Sequence, residues 1–167
     1  ANAGVIGESG FVTFTTGTSS SGSSGAFDVF TGASKDGAAG SISILVGSGG
    51  SAVGGLLKVN AGASVTTGGN VAFTSGQGLA SSSGDILIQS FNSGVSGVSG
   101  AFALATGTSS GGASGSVSVI SGNAMGGVSG SMVVTVGAGD FGPGGTLALA
   151  AGSTSDSGAS GGRMDIT

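Results

Sequence analysis

Two short patterns and one residue class could carry chemistry in this sequence. Gly137-Ala138-Gly139-Asp140-Phe141-Gly142 fits G-x-G-x-x-G, the turn that lets a backbone approach a dinucleotide pyrophosphate. That chemistry needs a helix opening at the turn and an acidic residue further on. Pro143-Gly144-Gly145 and another alternating segment follow instead, so no dinucleotide site is expected. Gly107-Thr108-Ser109-Ser110-Gly111 fits G-x-S-x-G, the elbow that exposes a serine nucleophile. The chain has no His, so the usual base for such a serine is missing. The acids are Glu8, Asp28, Asp36, Asp85, Asp140, Asp156 and Asp165, at unrelated places. Calcium-binding repeats set their aspartates periodically. These scattered acids instead predict isolated solvated charges. No enzyme activity, cofactor or metal is expected.

The composition points the same way. The 167 residues include 40 Gly, no Cys, no Trp, no Tyr and a single Pro. Without Cys there is no disulfide framework and no thiolate ligand. Lys35, Lys58 and Arg163 are the only basic side chains and the formal net charge is −4, which argues against nucleic acid. No apolar run reaches the roughly 18–20 residues of a membrane span, so no span is expected. Mean hydropathy of +0.48 with 6% charged residues is unlike a disordered chain. One Pro excludes collagen. No N-x-S/T sequon occurs, whereas Ser19, Ser20, Ser21, Ser109 and Ser110 leave the turns open to O-linked sugars.

What orders the chain is a repeat. About eleven alternating segments begin roughly every 15 residues, from FVTFTTG at Phe11 to RMDIT at Arg163. Their second and fourth positions are always large and apolar. In chain order these are Val12 and Phe14, Phe27 and Val29, Ile42 and Ile44, Leu57 and Val59, Val71 and Phe73, Ile86 and Ile88. Phe102 and Leu104, Val117 and Val119, Met132 and Val134, Leu147 and Leu149, and Met164 and Ile166 complete the series. Alternation with period two predicts strands with one buried face, these residues forming the core ladder. The third and fifth positions vary freely, from Asp28 to Lys58 and Gln89, and are expected to face outward. The seventh is Gly in most units: Gly17, Gly32, Gly47, Gly62, Gly76, Gly107, Gly122, Gly137 and Gly152. These read as corner glycines, required by positive φ or by crowding too tight for a Cβ.

A longer period lies above the first. Residues 1–68 align without gaps on 91–158, an offset of 90, with about 28 identities. Together these patterns predict an all-β fold, a parallel β-solenoid (β-helix) of about eleven rungs with a six-rung, 90-residue super-repeat. Residues 1–167 would then be one continuous array, and the absence of polar caps predicts a window of a longer chain.

Units such as GTSSGGASGSVSVISG, Gly107 to Gly122, make the chain resemble Gly/Ser/Thr-rich tandem-repeat surface proteins of microalgae and other microbes. The resemblance is one of repeat style and covers the whole chain. It implies an extracellular or cell-surface location and a structural role, and it transfers no functional residue. The reading is a structural fibril or stalk built by self-association, end to end or laterally, with a glycan coat as a further partner. The alternative is an ice-binding or carbohydrate-binding module. Outward pairs such as Thr13 with Thr15, Asp28 with Phe30 and Lys58 with Asn60 form no regular Thr ladder, and sugar-stacking Trp and Tyr are missing.

Overall fold

The computed structural model describes residues 9–50 and 53–167. Among them there is no helix and no strand. The expected all-β parallel β-solenoid is therefore not what the described residues form; they run as coil interrupted by bends. The physical reason lies in the backbone. Rungs of a solenoid exchange N–H···O=C bonds between neighbouring segments, and no such ladder joins these segments. The backbone–backbone hydrogen bonds among the described residues run instead within single units. They are Gly69 N to Gly62 O (2.9 Å), Gly84 N to Gly76 O (2.9 Å), Ala159 N to Asp156 O (3.2 Å) and Gly162 N to Gly152 O (2.8 Å). A chain with 40 Gly loses much freedom on ordering, and two large apolar side chains per unit offset little of that cost.

Without a ladder there is no buried core among the described residues either. In the first part of the chain Val12, Phe14, Phe27, Val29, Ile42, Ile44, Leu57, Val59, Val71 and Phe73 all stand exposed rather than buried. Further on, so do Ile86, Ile88, Phe102, Leu104, Val117, Val119, Met132, Val134, Leu147, Leu149, Met164 and Ile166. Burial of these positions requires a second layer of chain laid across the first. Segments that do not pair provide none.

The bends keep a regular beat. They fall at 20–22, 35–37, 50, 65–66, 79–81, 95–97, 110–112, 125–127, 140–143 and 157–159, one in each return between alternating segments. Short hydroxyl and carboxylate side chains shape several of them. Ser34 Oγ accepts from Gly37 N (3.0 Å), and Ser109 Oγ accepts from Gly112 N (3.1 Å). Thr154 Oγ1 accepts from Asp156 N, and Asp156 Oδ1 in turn accepts from Gly158 N (2.9 Å). Such side chains compete with regular structure for the backbone N–H, which turns the chain locally. Positive φ occurs at Gly97, Gly126 and Gly142, and all three lie in bends.

Glycine has its structural use at a different offset from the one expected. The nine corner glycines, Gly17, Gly32, Gly47, Gly62, Gly76, Gly107, Gly122, Gly137 and Gly152, have negative or extended φ. A Cβ at any of them would meet nothing within 4 Å. Neither reason for requiring Gly there holds. Most glycines just before an alternating segment are crowded instead, closing the unit against the sixth position of the preceding segment. A Cβ at Gly40 would stand 3.4 Å from Thr31 Cβ, and one at Gly115 3.3 Å from Thr106 Cγ2. At Gly55 and Gly145 it would stand only 2.6 and 2.7 Å from Cγ1 of Val46 and Val136. Each unit is thus a small closed loop of roughly nine residues.

The chain divides into two compact units, Ala1–Asp85 and Ile86–Thr167. Each contains one copy of the 68-residue duplicated stretch. Within the first, the rings of Phe14 and Phe27 stack with centroids 6.1 Å apart and planes at 26°.

Candidate functional site

The ladder positions that enclose no core still differ from their neighbours. From Phe27 to Met164, they are 49% to 72% exposed. The large residues at outward positions (Phe30, Leu45, Leu87, Ile120 and Val133) are 77% to 84% exposed. Towards the two ends the difference fades, Val12 and Ile166 being as open as the outward set. The alternation therefore survives as a graded difference between two faces. One face is partly shielded by its own loops, and it carries two large apolar groups in every unit. Val46 and Val136, at the sixth position, are the most covered of the large residues, because Gly55 and Gly145 pack against them.

In the second unit this face opens into a groove of about 830 Å³. Leu104, Val117, Leu149 and Met164 line it, with Ala148, Ala150, Ala151 and Arg163. The four large residues belong to the expected ladder, drawn from four different segments. Arg163 is already engaged: its Nε stands 2.9 Å from Asp165 Oδ1 and its Nη2 donates to Asp165 Oδ2 at 2.9 Å. This fork pairs the groove's one cation with the neighbouring carboxylate.

The two catalytic-looking patterns resolve into loop structure. Ser109, the serine of G-x-S-x-G, engages its Oγ with the Gly112 N–H at 3.1 Å. Gly137 to Gly142 runs into the bend at 140–143, with no helix to follow. No group of three His, Cys, Asp or Glu that could hold a metal ion occurs among the described residues, and Glu8 lies outside them. No helix among the described residues is long and apolar enough to cross a membrane.

The structure also brings forward residues that the alternation does not single out. The closing glycines Gly40, Gly55, Gly115 and Gly145 set the loop size, and Gly78 allows no side chain because its Cβ would overlap the Ser81 and Ser82 carbonyls. Their signal in the sequence is position: each closing glycine directly precedes an alternating segment. Comparison of the chain with family models, with curated proteins and with solved structures finds no match.

Proposed function

We propose that the protein is a structural component at the cell surface or outside the cell, which forms a fibril or stalk by associating with further copies of itself. The carrying observation is the apolar face that recurs from unit to unit and that the chain's own loops shield only in part, its large residues from Phe27 to Met164 remaining 49% to 72% exposed. Exposed apolar surface of that extent marks an interaction site in a soluble protein. A second observation supports the same reading. Among the described residues the alternating segments leave most backbone N–H and C=O groups without protein partners, and such groups are templates for pairing with another chain. The resemblance to tandem-repeat surface proteins supports the location. O-linked sugars on Ser20 and Ser21 would sit in the 20–22 bend, outside the alternating segments.

The test is concentration-dependent assembly of the purified chain, followed by light scattering and electron microscopy. Filaments are expected above a critical concentration, with a reflection near about 4.7–4.8 Å from chains paired side by side. A chain that stays monomeric at every concentration, at physiological salt, overturns the reading.

A further inference from the structure

The described part of the duplicated stretch repeats in structure as well as in sequence. Bends at 20–22, 35–37 and 50 recur at 110–112, 125–127 and 140–143. The tight Gly55–Val46 closure recurs at Gly145–Val136, its hypothetical Cβ contacts 2.6 and 2.7 Å, and the two valines are 45% and 46% exposed. One copy lies in each compact unit.

Charge sets how a second chain would lie on the first. A parallel copy in register would stack every charged residue on its own duplicate, Asp28 on Asp28 and Lys58 on Lys58. Like charges directly opposite one another are destabilising. A copy displaced by 90 residues keeps the apolar pairs, Val12 on Phe102 and Phe27 on Val117, and separates all the charges. Asp28 then meets Ser118, Lys58 meets Ala148, and Asp156 meets Thr66; within the 68 aligned residues no charge faces a charge. Displacements of 15, 30, 45, 60 and 75 residues each throw at least one segment out of register. Units are 15 residues long only on average, and a displacement of 15 sets Leu57 against Ala72 rather than Val71. A slip of one residue turns the apolar set to the opposite face.

We propose that the chain assembles by laying the 1–68 stretch of one copy on the 91–158 stretch of the next, parallel and staggered by 90 residues. This rests on the self-association reading and specifies its geometry. Because the two surfaces differ, the contact is heterologous, and it leaves a free 1–68 surface at one end and a free 91–158 surface at the other. Such a contact grows without a fixed end point.

The absence of native Cys gives a direct test. Ser20→Cys and Ser110→Cys are made as separate single variants, mixed in equal amounts, assembled and oxidised. Filaments are expected in which disulfides joining one variant to the other dominate, well above the statistical mixture. Filaments carrying mainly disulfides between copies of the same variant, or none, overturn the stagger while self-assembly stands. Absence of filaments overturns both. Ser118 supplies an independent readout, since it faces Asp28 only in the staggered arrangement. Ser118→Lys should lower the critical concentration and Ser118→Asp raise it, each several-fold. Equal increases for both variants overturn the stagger, as expected of like-charge columns in register.

Discussion

Individual glycines here divide into dispensable and obligatory ones, and the division is measurable. Gly17 has no neighbour within reach of a Cβ and no positive φ, so Gly17→Ala should stabilise the assembled form by about 0.4–1 kcal/mol by restricting the free chain. Gly126 has a φ of 85°, and Gly126→Ala should cost about 1–2 kcal/mol. Denaturant midpoints of the assembled material would compare them; a stabilised Gly126→Ala would mean that the 125–127 bend is not what holds the glycine. Gly55→Ala should open its loop, because Val46 Cγ1 occupies the place of the new methyl at 2.6 Å. Loss of the NMR contact between residue 55 and the Val46 methyls would register it. At this scale the sequence misled. With 40 Gly among 167 residues, glycines recur at several fixed offsets, and the offset after each segment was as regular as the one before it. Packing against the sixth-position side chains, such as Thr31, Val46, Thr106 and Val136, distinguishes them.

Each alternating segment presents two unequal faces, and substitutions on them should have unequal effects. Ile42 is 54% exposed and its neighbour Ser43 points to the other side of the pattern. Covering the exposed half of such a side chain is worth about 0.8–1.6 kcal/mol, or roughly 4- to 15-fold in an equilibrium constant. Ile42→Lys should therefore raise the critical concentration for assembly by at least about fourfold. Ser43→Lys should change it by no more than about twofold, in keeping with a surface substitution. Equal effects at the two positions would mean that the alternation does not select the contact face. The segments and their spacing were legible in the sequence because apolar alternation and Gly/Ser-rich returns are local signals. The partner of the apolar face was not. Val12 and Phe14, or Val117 and Val119, alternate identically whether a segment pairs with the next unit of its own chain or with another chain, and a solenoid does not follow from that pattern alone.

The whole chain carries few charges, and they are spread out, so solvent conditions act on it as a unit. The formal net charge of −4 sets a repulsion between copies that salt should weaken. Raising ionic strength from about 0.01 to 0.1 M shortens the Debye length from about 30 to 10 Å. Assembly followed by light scattering should accordingly begin at a several-fold lower protein concentration in the higher salt. No change would assign the solubility of the chain to its turns rather than its charges. The 90-residue repeat was legible at this scale from aligned residues such as Thr16 to Ser20 and Thr106 to Ser110. That each copy falls in its own compact unit was not, since that depends on contacts that no motif records.

The loop closures also have a mechanical meaning. A ring of roughly nine residues, shut by a glycine against one side chain, holds back about 30 Å of contour, at roughly 3.3–3.6 Å per residue. Tension along the chain would open such rings singly, each yielding its hidden length before the next gives way. Because every closure is local, a ring released under load can shut again without help from distant parts of the molecule. The protein would stretch in small recoverable steps and behave as a chain of springs.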